Sequence, residues 1–292
     1  KALVARLGLD AGKNPQSYAT GVKEVWELPA GRAGQGRVLH TMGFPLDART
    51  YGGGWFYDLR ENLVSLGFVT GLDSGDPFTD PHRLLQEFKT HPFVRDLLAG
   101  GKLARYGAKA IPEGGYWALP RPYADGVLLA GDGGGYLNAA RLKGIHLALK
   151  TGMLAAETAH EALRRDDASA ALLSSYETRL RESWVHEELH AVRNYRQAFQ
   201  KGIYAGMAEV GLQLVTGGRG LRGRLPAKED HLHVCRLDQL RAAGRPDAPP
   251  PPIADDPAAL AFAKLTSVYN SGTLHEENQP CHLLVADTEI CR

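Results

Sequence analysis

Apolar and polar positions change their rhythm along the chain. Up to about residue 110, short apolar runs alternate with turns: Gly36-Arg-Val-Leu-His40, Gly54-Trp-Phe-Tyr57 and Leu63-Val-Ser-Leu-Gly-Phe-Val-Thr-Gly71. Their β-branched and aromatic content predicts strands, read here as a mixed sheet. From Pro81 to Leu98 the period lengthens, with Leu84, Leu85, Phe88 and Phe93 on a helix broken at His91-Pro92, because proline brings no N–H and clashes with the preceding turn. Val127 to Ala130 is a continuous apolar run, the pattern of a central parallel strand covered on both faces. A long helix follows, with Ile145, Ala148, Leu149, Gly152, Met153, Ala155 and Ala156 as its packing face. Another is expected from about Ala170 to Arg193, where Leu172, Tyr176, Leu180 and Trp184 recur every fourth residue. Pro246 to Pro252, five prolines in seven residues, reads as a stiff linker into a last segment.

Composition narrows the class. With 292 residues, 43% hydrophobic, and 34 basic against 33 acidic side chains, the chain has room for a substantial core and no electrostatic reason to bind nucleic acid. Cys235, Cys281 and Cys291 form no C-x-x-C pair, so neither a disulfide framework nor a cysteine metal site is encoded, and a reducing compartment fits. No apolar run approaches the roughly 18 residues of a membrane span, and Lys1-Ala-Leu-Val-Ala-Arg6 has no signal-peptide core. The absence of an initiator methionine before Lys1 reads as a piece of a longer chain.

Candidate chemistry concentrates in Gly126-Val-Leu-Leu-Ala-Gly131-Asp132-Gly-Gly-Gly-Tyr-Leu-Asn138-Ala-Ala-Arg-Leu-Lys143-Gly144-Ile-His146. A strand there ends in an acid among glycines, and a helix then opens. The missing side chains let a ligand lie against the backbone. Asp132 can accept a hydrogen bond from a sugar alcohol, and a helix starting at Gly144 presents its positive end to an anion or an electron-rich ring edge. An ordinary glycine turn is the alternative. A second motif, His186-Glu187-Glu188-Leu189-His190, fits H-E-x-x-H, which on a helix places two imidazoles one turn apart for zinc with a glutamate as base, and Glu209 as a possible third ligand.

Many ordered words along nearly the whole chain carry a resemblance to a known family. They include Pro15-Gln-Ser-Tyr18, Gly43-Phe-Pro-Leu-Asp47, Thr50-Tyr51-Gly52-Gly53, Leu66-Gly-Phe-Val-Thr-Gly-Leu-Asp73, His91-Pro92, Gly100-Gly101-Lys102 and Tyr106-Gly107-Ala108. The acid–glycine segment with Lys143-Gly144-Ile145-His146 follows, then Ser183-Trp184, Val192-Arg193-Asn194, Ser271-Gly272-Thr273, His275-Glu276, Gln279-Pro280 and His282-Leu283. In these the chain resembles electron-transfer flavoprotein:ubiquinone oxidoreductase.

The resemblance implies a monotopic enzyme of an inner membrane, on the bacterial cytoplasmic or mitochondrial matrix face, passing electrons from electron-transfer flavoprotein through a 4Fe-4S cluster and FAD to ubiquinone. The implied fold is α/β and α+β. Residues 1–110 would be a mixed-sheet ubiquinone-binding domain, 111–165 the C-terminal part of a glutathione-reductase-like FAD domain, 166–225 a helical region with a membrane-surface helix, and 226–292 a linker and the start of a ferredoxin-like iron–sulfur module. Carried over by position, Gly131, Asp132, Gly133, Asn138 and Gly144 hold FAD. Tyr51, Gly52 and Gly53 meet the quinone, and Tyr51 and His91 are the proton-transfer candidates. A strand bulge is the alternative for Gly52 to Gly54. Phe199 to Thr216 matches the membrane-dipping helix, with Phe199, Ile203, Tyr204, Met207 and Leu214 as contacts, although Lys201 and Glu209 interrupt the apolar pattern. The glycine fingerprint for the ADP half of FAD is expected before Lys1 and the cluster cysteines after Arg292, so Cys281 and Cys291 receive no metal role. The family departs from His186 and His190 at that motif, which counts against zinc hydrolysis and for two solvated surface histidines; the zinc hydrolase and a non-catalytic peripheral membrane module are the competing readings.

Overall fold

A computed structural model describes residues 2–34, 36–217, 223–256, 258, 260–274, 276 and 278. After a short helix α1 (Ala2–Arg6) come β1 (Tyr18–Glu27), β2 (Val38–His40), β3 (Gly52–Asp58) and β4 (Leu63–Gly71), then α2 (Pro81–Thr90), α3 (Pro92–Leu98) and β5 (Lys102–Pro112). The five strands form one sheet in the order β2-β3-β4-β1-β5, and every neighbouring pair is antiparallel. The expected mixed sheet is therefore corrected to an antiparallel one. Its physical mark lies in β3, where buried Gly54, Phe56 and Asp58 alternate with half-buried Gly53, Trp55 and Tyr57, the one-face-in pattern that antiparallel sheets allow.

One face of the sheet is core. Val22, Trp26, Phe56, Val64, Leu66 and Phe68 pack under Leu85, Phe88, Val94 and Leu98 of α2 and α3. Gly54 is glycine because the Phe88 ring occupies the place of its Cβ. The helix break falls at His91-Pro92 as expected: Asp80 caps α2 by accepting from His82 N at 3.0 Å, and His91 caps α3, its Nδ1 accepting from Phe93 N at 3.3 Å. A buried ion pair pins α2 to β1. Lys89 Nζ lies 2.9 Å from both Glu24 oxygens, which also accept from Trp26 Nε1 at 2.8 Å and Gln86 Nε2 at 3.1 Å.

The second half contains β6 (Tyr123–Ala124), β7 (Val127–Leu128), α4 (Ile145–Arg165), α5 (Ala170–Leu173), α6 (Ser175–Arg181), α7 (Trp184–Ala191), α8 (Tyr195–Ala198) and α9 (Ile203–Thr216), with α10 (Leu237–Ala242) and α11 (Lys264–Tyr269) behind them. The run Val127 to Ala130 is not a central parallel strand here. It is half-buried, and among the described residues β7 pairs only with β6, antiparallel, whereas a central parallel strand has a strand on each side and helices covering both faces.

The packing face of α4 also differs. Ile145, Leu149 and Met153 are 79%, 65% and 57% exposed, and the buried stripe is Leu147, Thr151, Leu154, Thr158 and Ala162. Two threonines pass as core because their hydroxyls donate to Leu147 O at 2.8 Å and Leu154 O at 3.0 Å, leaving only methyl groups to pack. This stripe meets Tyr176, Leu180, Val185 and Leu189. The expected helix over 170 to 193 is three helices, with Ser174 and Ser183 at the breaks, where their hydroxyls bond back to Ala171 O and Leu180 O at 2.7 and 2.8 Å. Tyr176 and Leu180 are buried as their spacing requires, while Trp184 is exposed and stacks on His146.

Candidate functional site

The face of the sheet opposite the core borders a cavity of about 470 Å³. Strand alternation builds it: Gly53, Trp55 and Tyr57 of β3, Val69 of β4 and Ile111 of β5 all point to this side. Gly52 and Gly53 are required by close backbone approach. A Cβ on Gly52 would fall on Val69 O, and one on Gly53 on Thr41 O. At the rim, His40 Nε2 and the Tyr57 hydroxyl share a hydrogen bond of 2.7 Å, and Lys143 Nζ donates to the same hydroxyl at 3.3 Å. Partial burial, with Lys143 nearby, lowers the His40 pKa and keeps that imidazole neutral near pH 7.

The inner wall carries a charged cluster that spacing along the chain did not reveal. Tyr51, buried, packs against Phe199 with ring centroids 5.0 Å apart, and its hydroxyl bonds to that of Tyr195. The Arg196 guanidinium lies over the Tyr51 ring at 4.3 Å and holds Asp73 at 2.6 Å. Its Nε is 3.9 Å from Glu113 Oε2. Glu113 is only 4% exposed and lines the cavity together with Tyr51 and Tyr195. Burial pushes its carboxyl up to about 7, with Asp73 and Asp230 adding to the rise and Arg196 opposing it. Burial likewise raises the Tyr51 hydroxyl well above its usual range, with Glu113 next in effect.

A second hollow, about 730 Å³, lies at the other side of the β5 end. Ala110 and Pro112 border this hollow while Ile111 and Glu113 border the first, as period-two alternation demands. Asp132, Gly133, Gly134 and Gly135 line it. Gly131 and Gly135 have φ of 63° and 84°, the left-handed region that suits glycine, and Gly131 N donates to Thr151 Oγ1 at 2.9 Å. The place of a Cβ on Gly133 is open space. Lys109 Nζ donates to Asp132 at 2.7 Å and, as the largest effect, holds its carboxyl below the usual range. Gly144 starts α4, a helix of 21 residues with no side-chain cap at its N-terminus. Asn138 is buried and lines neither hollow, its amide donating to Glu188 at 2.7 Å and accepting from Arg141 N.

Two family descriptions match this chain: "ETF-QO, ubiquinone-binding" over residues 18–111 and "Electron transfer flavoprotein-ubiquinone oxidoreductase, 4Fe-4S" over residues 258–292. Among curated proteins, the mitochondrial electron transfer flavoprotein-ubiquinone oxidoreductases of Mus musculus and Arabidopsis thaliana are 39% and 38% identical over 99% and 94% of the chain. Along nearly all of its length this chain is similar to the electron transfer flavoprotein-ubiquinone oxidoreductases, and two of its segments match that family's models. It covers 47% and 42% of the lengths of those relatives, so about half of each. A related Schizosaccharomyces pombe protein named as a probable member is 39% identical over 97% of the chain and 44% of its own length. Among solved structures, a geranylgeranyl bacteriochlorophyll reductase-like protein of Thermoplasma acidophilum aligns with a TM-score of 0.49 at 15% identity, covering 69% of this chain and 55% of that one.

Within this family frame, the structure gathers Tyr51, Gly52 and Gly53 at one cavity and Asp132 and Gly133 at the other. His91 lines neither; it caps α3 and packs its ring against Phe44 at 5.6 Å. The expected membrane contacts divide. Tyr204, Met207 and Leu214 are 81%, 54% and 61% exposed, but Phe199 and Ile203 are buried, Phe199 between the Tyr51 and Tyr195 rings, and both leave the contact set. No helix among the described residues is long and apolar enough to cross a membrane. His186 and His190 do lie one turn apart on α7, their rings stacked 5.7 Å between centroids, yet His186 Nε2 is engaged by the Tyr116 hydroxyl at 2.9 Å. No group of three or more His, Cys, Asp or Glu that could hold a metal ion occurs among the described residues, and the comparisons lend the zinc reading no support. Cys281, Cys291, His275, Gln279-Pro280 and His282-Leu283 lie outside the described residues.

Glu113 and His40 are the functional candidates that sequence reasoning missed. Pro112-Glu113-Gly114-Gly115 repeats the logic of Gly131-Asp132-Gly133, an acid among glycines where a strand ends, and that was the available signal.

Proposed function

We propose that the whole protein passes electrons from reduced electron-transfer flavoprotein through a 4Fe-4S cluster and FAD to ubiquinone, and that this chain supplies the quinone pocket and the flavin-facing part of the FAD site. The observation that carries the reading is the pair of hollows sharing the end of β5, one walled by the glycine strand and apolar side chains, the other by an ionised acid among glycines.

The residues present fit the flavin end of FAD. Asp132, kept ionised by Lys109 and half exposed, would accept a ribityl hydroxyl, Gly131 and Gly133 would leave room beside the backbone, and Asn138 would tie its loop to α7 through Glu188. The start of α4 at Gly144, which has no side-chain cap, would offer positive potential to a ring lying beside it. FAD, when bound, supplies the ability to hold two electrons and release them singly. We assign the cluster no ligand among the described residues.

On the quinone side, Gly52 and Gly53 let the headgroup approach the β3 backbone beside Tyr51, and Val69 and Ile111 give it an apolar floor. His91, the N-cap of α3, does not border this cavity and is not assigned to the set. Tyr204, Met207 and Leu214, with Leu212 and Val215, form an exposed apolar band on α9 that suits the interface of the inner membrane, in a monotopic mode that keeps the isoprenoid tail in lipid. The domain division at 110, 165 and 225, with a glutathione-reductase-like FAD part and a ferredoxin-like last module, belongs to the same reading.

Because a side chain on Gly52 or Gly53 strikes neighbouring backbone, the cleaner probe fills the cavity from its floor. In the full-length protein, Val69→Phe and Ile111→Trp should raise KM for a short-chain ubiquinone roughly tenfold or more, with flavin absorbance and flavin reduction unchanged. Unchanged KM in both variants would remove the quinone from this cavity.

A further inference from the structure

We propose that Glu113 is the acid that delivers a proton to the quinone oxygen as the quinol forms in the glycine-walled cavity, with Arg196 facing the carboxylate left behind. The proposal rests on the quinone reading above. It names a residue for a step that electron transfer alone leaves incomplete, since a quinone becomes a quinol by gaining two electrons and two protons.

Position comes first. Glu113 is the residue after β5, on the same alternation side as Ile111, and borders the cavity with Gly52, Gly53 and Gly54. Its Oε2 is buried and without a hydrogen-bond partner, and so is Nε of Arg196 beside it. A buried carboxyl oxygen with no partner costs free energy unless a ligand completes it. The contrast with Glu24, the buried acid of β1, is direct: both of its oxygens are taken.

The surrounding charges decide which form is stable. Arg196 and Tyr195 face Glu113 from α8, Tyr51 from the start of β3, Asp73 from the end of β4 through Arg196, and Asp230 from the turn before α10. Arg196 spends its short contact on Asp73, so Glu113 gets only the longer one. Burial therefore wins, and the carboxyl sits at about 7, poised between acid and carboxylate at working pH. Tyr51 and Tyr195 are pushed up by burial and keep their protons. They position the headgroup.

The two electrons would come from FAD, the reductant named in the proposed function. The O–H bond of Glu113 breaks as an O–H bond forms on the reduced quinone oxygen nearer to it, leaving a carboxylate beside Arg196. Water at the rim supplies the other proton, and after the quinol leaves, Glu113 takes a proton back from water.

The test uses the full-length holoenzyme with a short-chain ubiquinone and, in parallel, ferricyanide, which accepts electrons without protons. Glu113→Gln keeps the shape and removes the acid. Quinone turnover should fall roughly 10²-fold with ferricyanide reduction and flavin content preserved. The wild-type rate should decline as pH rises through about 7, and Glu113→Asp should restore part of the rate with the decline displaced. Independently of turnover, the infrared difference spectrum on quinone reduction should lose its protonated-carboxyl band in Glu113→Gln. A Glu113→Gln enzyme with wild-type quinone turnover and the same pH decline would overturn the assignment while leaving the quinone reading standing. A wild-type enzyme that reduces ferricyanide but no quinone would overturn both.

Discussion

Two buried clusters of acid and base stand on opposite faces of one sheet, and they are built to different ends. On the core face, Glu24 is closed in by Lys89, Gln86 and Trp26, with Lys89 also over the Trp26 ring at 5.2 Å. On the cavity face, Arg196 is shared between Asp73 and Glu113, and a carboxyl oxygen and a guanidinium nitrogen go unmet. Burial alone does not distinguish the two, because Glu24 is 0% exposed and Glu113 4%. Satisfaction does. A filled network fixes register between helix and strand, whereas an incomplete one beside a cavity is left open to chemistry.

The difference can be broken from either side. Lys89→Met should cost the most, about 3–5 kcal/mol in urea denaturation, because it strands a buried carboxylate. Adding Glu24→Gln should recover much of that loss. Glu113→Gln should act in the opposite direction. Its folded pKa, about 7, is above the ordinary 4.5, so the wild type is favoured below the ordinary value and loses stability as pH rises through about 7. The amide does not titrate; at pH 8 the variant should gain up to about 3 kcal/mol relative to its difference at pH 4, read by denaturation at both pH values. Equal differences at the two values would mean that Glu113 titrates alike in the folded and unfolded protein.

A smaller effect sharpens the contrast in packing. Gly54→Ala puts a methyl group into the Phe88 ring on the core face and should cost about 1–3 kcal/mol, while additions at Val69 on the cavity face have space to enter. The smallest concerns the exposed pair of Lys109 and Asp132. Lys109→Ala should change stability by less than about 1 kcal/mol yet alter flavin affinity in an equilibrium titration of the full-length protein.

How far the sequence carried these arguments depended on the range of the interaction. The break at His91-Pro92 and the strands around Gly54 to Tyr57 were legible because proline geometry and local alternation are written in a few adjacent residues. The buried stripe of α4 was not, since Thr151 and Thr158 hide their polarity in their own helix while Ile145, Leu149 and Met153 stand outside. Strand direction was equally invisible to hydropathy. Glu113, between Pro112 and Gly114, has no apolar rhythm around it to mark its burial, and the base that faces it, Arg196, is far away in the chain. Asp132 and Gly133 were found because a strand end, an acid and glycines stand together within one short segment.

The backbone around Glu113 is tied down on both sides: its N–H donates to Ser17 O at 2.8 Å, Gly114 N to Gln16 Oε1 at 2.6 Å, and Gln197 Nε2 to Gly114 O at 2.9 Å. The strand end cannot swing outward like a paddle to exchange its hydrogen with bulk solvent. If Glu113 serves the quinone as proposed, water would have to come inward through the cavity that the headgroup fills. Recharging of the acid would then wait for departure of the product, an ordering set by three hydrogen bonds that hold the strand end in place.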